Sequence, residues 1–148
     1  MTIRWIARSD LPDVLKIEKA SFENPWTEQD FIYFLRQRKT LGMVIECDNI
    51  VIGYMVYKLR KSEYYLKNLA IHPDFRRRGF GAKLIKKLVD KLLTGNRDNI
   101  YLNVVETNLG AQLFFKAVGF KAFSILYNTY EDTDSAAYAM SFHHKVFQ

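Results

Sequence analysis

The sequence predicts a mixed α/β sheet in one domain spanning residues 1–148, on three observations. Strand-like and helix-like periodicities alternate in the order βααβββαβαββ, and no repeat, low-complexity tract or linker divides them. The composition, 49% hydrophobic and 15% aromatic over 148 residues, supplies a core without help from disulfides or metals.

The elements follow in order. Ile3 to Ala7 alternates like a strand, and Asp10 with Pro12 opens a helix carrying Leu11, Val14, Leu15 and Ile17. After the connection FENPW, Thr27 with Asp30 three residues on reads as the N-cap of a second helix bearing Phe31, Phe34 and Leu35. Met43 to Cys47 and Ile50 to Leu59 form a strand pair around the hairpin signal Asp48-Asn49. Tyr64 to Ile71 is a further strand, ended by the turn HPDF. Phe80, Leu84, Leu88 and Leu92 recur every four residues with Ile85 and Val89 beside them, which is one face of an amphipathic helix. Ile100 to Val105 is a strand, Asn108 to Val118 a helix closed by Gly119, and Phe120 to Tyr127 with Ala136 to Phe142 a final strand pair.

Composition also sets exclusions. The single cysteine, Cys47, lies in the apolar stretch MVIEC and reads as core, while His72, His143 and His144 have no metal-ligand spacing, so no metal is expected. The N-terminal MTIRWIARSD has no apolar signal region, and no apolar run approaches the ~20 residues of a membrane span, so the cytoplasm is the expected compartment. The net charge of +6 suits anionic partners but is also what a solvated lysine surface gives.

The stretch RRRGFGAKLIKKL, starting at Arg76, is the densest signal. It lacks the third glycine of a dinucleotide fingerprint and the GK[S/T] end of a P-loop. Its aromatic and aliphatic residues form the buried stripe instead of standing among the basic ones, so it does not read as a nucleic-acid helix, and no direct nucleic-acid contact is expected. Two readings stay open on the residues alone: a glycine-relieved turn with surface arginines, or a cradle where backbone N–H groups at a helix start meet a pyrophosphate.

The wider pattern separates them. Arg76-x-x-Gly79-x-Gly81 resembles the R/Q-x-x-G-x-G/A signature of the GNAT superfamily, amine N-acetyltransferases that use acetyl-CoA. KNLAIHPDF before it and ETNLGAQLFFKAVGF after it resemble the family's flanking segments, in the same order. NPWTEQDF, LAIHPDFRRRGFG and NTY are similar to RimI-type protein N-terminal acetyltransferases, among them those acting on a ribosomal-protein alanine. The resemblance runs from about Ile3 to Phe142. It implies an α+β acyl-CoA N-acyltransferase fold, with a splayed, mostly antiparallel mixed sheet flanked by about four helices. It also implies acetyl-CoA as cofactor and a protein N-terminus, including that of a ribosomal protein, as acceptor, and leaves monomer or homodimer open.

Carried onto this chain, the resemblance places the backbone of Leu69, Ala70 and Ile71 along the acyl-pantetheine arm. Arg76, Arg77, Arg78, Gly79, Phe80, Gly81 and Ala82 would wrap the pyrophosphate. Asn108 falls on a cofactor-bonding position, and it also reads locally as a helix N-cap. Phe22, Trp26 and Tyr33 would wall the acceptor site from one side and Tyr130 from the other, with core packing as the plain alternative for each aromatic.

The catalytic positions depart from the resemblance. Asn103 stands where RimI-type enzymes have the glutamate of L-E-V, and Phe115 where they have a tyrosine, and neither residue can move a proton. Tyr65 is the expected replacement, since some eukaryotic N-terminal acetyltransferases of the superfamily carry a working tyrosine there, paired with a histidine at the Asn103 position. Tyr65 and Asn103 could hold a water that relays the proton. Glu106, the nearest carboxylate along the strand, alternates onto the opposite face from Asn103. Two rival functions remain: a small-molecule amine acetyltransferase, and a catalytically weak acyl-CoA-binding module suggested by Asn103 and Phe115.

Overall fold

A computed structural model describes residues 1–127 and 136–143, and within them the elements follow the order read from the sequence. They are β1 (Thr2–Trp5), α1 (Leu11–Ser21), α2 (Glu28–Arg36), β2 (Thr40–Cys47), β3 (Ile50–Leu59), β4 (Glu63–Ile71), α3 (Phe80–Thr94), β5 (Asn99–Val105), α4 (Leu109–Ala117), β6 (Lys121–Leu126) and β7 (Ala137–His143). The seven strands form one sheet in the order β1-β2-β3-β4-β5-β7-β6. Every neighbouring pair is antiparallel except β4–β5.

Local chemistry explains the boundaries. Thr27 Oγ1 accepts from the Asp30 N–H at 3.1 Å and Asp30 Oδ2 accepts from the Thr27 N–H at 2.9 Å, a closed capping box that starts α2. Asp48 and Asn49 both adopt left-handed φ, +52° and +65°, as a two-residue hairpin turn requires. Asp10 differs from expectation. It sits at the start of α1, but its carboxylate accepts from the Ala7 N–H at 2.7 Å and pairs with Arg4 at 2.8 and 2.9 Å. That guanidinium holds the carboxyl below its ordinary pKa, and the pair ties β1 to α1. β2 also begins earlier than expected, at Thr40, because Gly42 interrupts the apolar pattern. The glycine is needed for space: a Cβ there would lie 2.7 Å from Ile6 Cγ2 and 2.9 Å from Leu35 Cδ2.

The two faces of the sheet are covered unequally. On one, α3 buries Phe80, Leu84, Ile85, Leu88 and Leu92 against residues of both halves of the sheet, among them Ile45, Met55 and Leu66 on one side and Ile100, Leu102 and Met140 on the other. Cys47 lies at the margin of this core, half-buried. On the other face, α1 and α2 place Leu11, Val14, Ile17 and Phe31 against Val44, Tyr54, Val56 and Ala70, all from β2, β3 and β4. The matching face of β5 carries Tyr101, Asn103 and Val105, since Ile100, Leu102 and Val104 point into the α3 core.

Candidate active site

The site begins where two strands part. β4 and β5 are in register only from Glu63–Asn99 to Tyr65–Tyr101. Beyond that they diverge, so the β5-facing backbone groups of β4 from Leu66 to Ile71 have no strand partner among the described residues. Leu69, Ala70 and Ile71 lie on this open edge, where an extended amide-bearing arm could pair as a strand does.

β4 also carries a bulge. Val56 pairs with Asn68 and Tyr57 with Leu66, so Lys67 is the extra residue. In a regular strand Tyr65 and Asn68 would point to opposite faces. The bulge turns both toward α1 and α2, while Tyr64 and Leu66 before it and Leu69 after it pack on the α3 side. Lys67 itself reaches the Phe34 ring of α2, with Nζ 4.3 Å from its centre.

The loop between β4 and α3 forms a cradle. Arg77 (φ +61°) and Gly79 (φ +84°) are both left-handed. A Cβ on Gly79 would meet nothing within 4 Å, so the space before that backbone is open. Lys83 N–H is the first in α3 to bond back, to the Gly79 carbonyl at 3.1 Å, leaving the N–H groups of Phe80, Gly81 and Ala82 without intrahelical acceptors. With Arg77 and Arg78 exposed beside it, this helix start suits a diphosphate. Three residues of this stretch serve the scaffold. Arg76 donates to the Ile71 carbonyl and to Ser21 Oγ, both at 2.9 Å, fastening the loop to β4 and α1. Phe80 is buried in the α3 core, so only its backbone can face a ligand. Gly81 packs against α4, since a Cβ there would lie 3.0 Å from Phe114 Cζ. Asn108 caps α4, its Oδ1 accepting from the Ala111 N–H at 3.1 Å, which is the local role expected of it.

Tyr65 and Asn103 meet at the mouth of the wedge. Asn103 Nδ2 donates to the Tyr65 hydroxyl at 3.2 Å. Asn103 Oδ1 is buried with no hydrogen-bond partner among the described residues, an acceptor that costs about 1–3 kcal/mol unless a ligand N–H or a water satisfies it. Tyr101 packs edge-on to Tyr65, and the Arg60 guanidinium lies 4.3 Å from the Tyr65 ring centre. Glu106 lies past the end of β5 with its side chain exposed. Phe115 is buried between Phe114 and Phe120 in the α3 core.

The acceptor wall predicted at Phe22, Trp26 and Tyr33 resolves into parts. Trp26 stacks on Phe34 at 4.6 Å and meets Phe31 edge-on at 5.1 Å, and Phe22 packs on the same cluster, so both belong to the core under α1 and α2. Tyr33 is 63% exposed on α2 beside Phe34. Tyr130 lies outside the described residues.

The residue that ties this cluster together is Glu18, which the sequence did not single out. It is 1% exposed, and its carboxylate accepts from the Tyr54 hydroxyl, from Asn68 Nδ2 at 2.7 Å and from the Trp26 N–H at 2.9 Å. One carboxylate thus joins α1, β3, the β4 bulge and the α1–α2 connection. Burial, with the carboxylate beside it, pushes the Tyr54 hydroxyl far above its ordinary pKa, so it stays a donor. The available signal was position: Glu18 falls on the apolar face set by Leu11 and Val14, where an unpaired charge is not tolerated.

A strand wedge beside a left-handed loop and a bare helix start has room for an extended amide-bearing arm that ends in a diphosphate. The chain belongs to the acetyltransferase (GNAT) family, whose model matches residues 11–120. It is 30% identical over 129 residues to a ribosomal protein bS18-alanine N-acetyltransferase of Salmonella typhimurium, covering 87% of this chain and 86% of that one. Its fold superposes with TM-score 0.86 on the crystal structure of the ribosomal-protein-S18-alanine N-acetyltransferase from Escherichia coli, at 25% identity over 99% of this chain and 96% of that one. A GNAT acetyltransferase from Elizabethkingia anophelis with acetyl-CoA bound matches with TM-score 0.79 at 15% identity, covering 97% of each chain.

The protein is therefore an acetyl-CoA-dependent N-acetyltransferase. The residues present fit that cofactor: open space before Gly79, bare N–H groups at Phe80–Ala82 and the unpaired edge of β4 match a diphosphate joined to an amide-bearing arm. When bound, acetyl-CoA supplies the acetyl thioester that an amine attacks.

Proposed function

We propose that residues 1–148 form one N-acetyltransferase domain that acetylates the α-amine of protein N-termini, with a ribosomal-protein N-terminus the leading acceptor. The observation that carries this is the Tyr65–Asn103 pair at the mouth of the wedge, with the buried Asn103 Oδ1 still lacking a donor. An incoming amine, or a water beside it, satisfies that oxygen by donating a hydrogen bond to it, and the amine's proton goes to a water held by Asn103 and the Tyr65 hydroxyl and from there to solvent, the Asn103 amide itself staying unprotonated. The relatives named for ribosomal protein bS18 support a peptide acceptor. No described helix is long and apolar enough to cross a membrane, and the proposed setting is the cytoplasm, where such N-termini emerge.

The test is a panel of free-amine, N-blocked and lysine-containing peptides alongside small polyamines, each incubated with acetyl-CoA and read by mass. Acetylation confined to free N-termini is the expected outcome. Acetylation of small amines alone would replace this reading with a small-molecule one.

A further inference from the structure

Two cations, Arg60 and Lys67, stand over the Tyr65 ring, and a third, Lys58, shares its face of the sheet. Lys58 pairs with Tyr65 across the β3–β4 ladder, so the two share a face. The Arg60 guanidinium stands 4.3 Å from the ring centre, and Lys67 Nζ stands 5.6 Å from it while capping Phe34. The described acids nearby are already engaged. Glu63 pairs with Arg60 at 3.0 Å, and Glu18 is held by Tyr54, Asn68 and Trp26. Lys67 makes no ion pair among the described residues.

The Phe34 ring offsets part of the cost of placing Lys67 here, and burial and like charge oppose it. Burial, reinforced by Lys58 and Arg60, holds the Lys67 pKa below that of an ordinary lysine. Folding therefore penalises the charged form, and the penalty is in force at neutral pH, being lifted only as pH rises through the lowered pKa. A half-buried ammonium among like charges has a reason to persist if an anion comes to meet it.

We infer that Lys67, with Lys58 and Arg60, determines acceptor specificity and selects polypeptide N-termini bearing an acidic side chain within their first two residues. The inference rests on the proposed holding of the α-amine at Tyr65 and Asn103. An extended residue spans about 3.3–3.6 Å, so with the amine there, a carboxylate on the first or second residue is the one that reaches the ammonium. The same positive field disfavours basic side chains at those positions. It also lowers the pKa of the incoming α-amine, raising the neutral fraction that can attack.

The test compares kcat/KM for peptides identical except at their second residue, Asp, Glu, Ala or Lys, using the wild type, Lys67→Glu and Lys67→Met. Acidic peptides should exceed the lysine peptide by about fivefold or more, mainly through KM, the gap narrowing in high salt. Lys67→Glu should invert the order. Lys67→Met should flatten it while melting at or above the wild-type temperature. Equal rates on all four peptides, or an order unchanged in Lys67→Glu, would overturn the inference and leave N-terminal transfer standing. Preference retained in Lys67→Met with a lowered melting temperature would make Lys67 a packing residue and overturn it too. Acetyl-CoA binding without acetylation of any peptide would bring down the proposed acceptor class and the specificity together.

Discussion

At the residue scale, the proposed proton path turns on Tyr65 and Asn103, with Phe115 buried in the α3 core. An α-amine of pKa near 8 is about 10% neutral at pH 7, so a missing base costs roughly tenfold in nucleophile supply, a deficit a hydrogen-bonded pair can recover. Tyr65→Phe removes the hydroxyl to which Asn103 donates and leaves both Asn103 side-chain groups without a partner on β4. Turnover should fall by about ten- to a hundredfold at neutral pH, at or below the usual range for acid–base groups. The defect should shrink above about pH 8, where the amine arrives neutral unaided. A pH–rate profile measured with both proteins checks this, since a loss of equal size at every pH would indicate a packing role against Tyr101 and Arg60. Glu106→Gln is the control. Its side chain is exposed past the end of β5, and its profile should match the wild type.

At the scale of elements, the glycines of the cradle separate two functions that one motif merges. Gly79 is left-handed with nothing in front of it, whereas Gly81 abuts Phe114 on α4. Gly79→Val should therefore weaken acetyl-CoA binding tenfold or more, with a stability loss of about 1–2 kcal/mol from the left-handed backbone. Gly81→Val should lower the melting temperature and affinity together, because Phe114 must move before the branched side chain fits. Calorimetric titration with parallel melting curves distinguishes them, and wild-type affinity in Gly79→Val would remove the cradle from the cofactor site. The same contrast shows what the sequence could disclose. Periodicity, the Thr27–Asp30 box and the Asp48-Asn49 turn are local, so the element order was legible. The meeting of Tyr65 with Asn103 was legible through family resemblance. The Lys67 bulge has no glycine to mark it, and Glu18 finds its side-chain partners 36 and 50 residues away. The ties of Arg76 to Ser21 and of Gly81 to Phe114 likewise exist only once distant elements are brought together.

At the scale of the whole molecule, the sheet is two arms joined by a short seam. β1–β4 and β5–β7 share three register pairs between β4 and β5, and α3 spans both arms from one face. A ligand in the wedge contacts both arms and exists as a site only in the folded chain, so acetyl-CoA should stabilise the entire domain by mass action. At a hundred times Kd the gain is about 2.7 kcal/mol, worth roughly 5–10 °C in melting temperature for a domain of this size. Hydrogen exchange should locate the effect. The β5-facing amides of β4 between Leu66 and Ile71 and the amides of Phe80 to Ala82 at the start of α3 should gain protection beyond the global increase, because these groups lack strand or helix partners among the described residues. Gly79→Val should lose both the thermal shift and the α3 protection. A full thermal shift without added protection at either segment would mean that the cofactor binds elsewhere on the domain, and that the open edge of β4 serves the acceptor peptide instead.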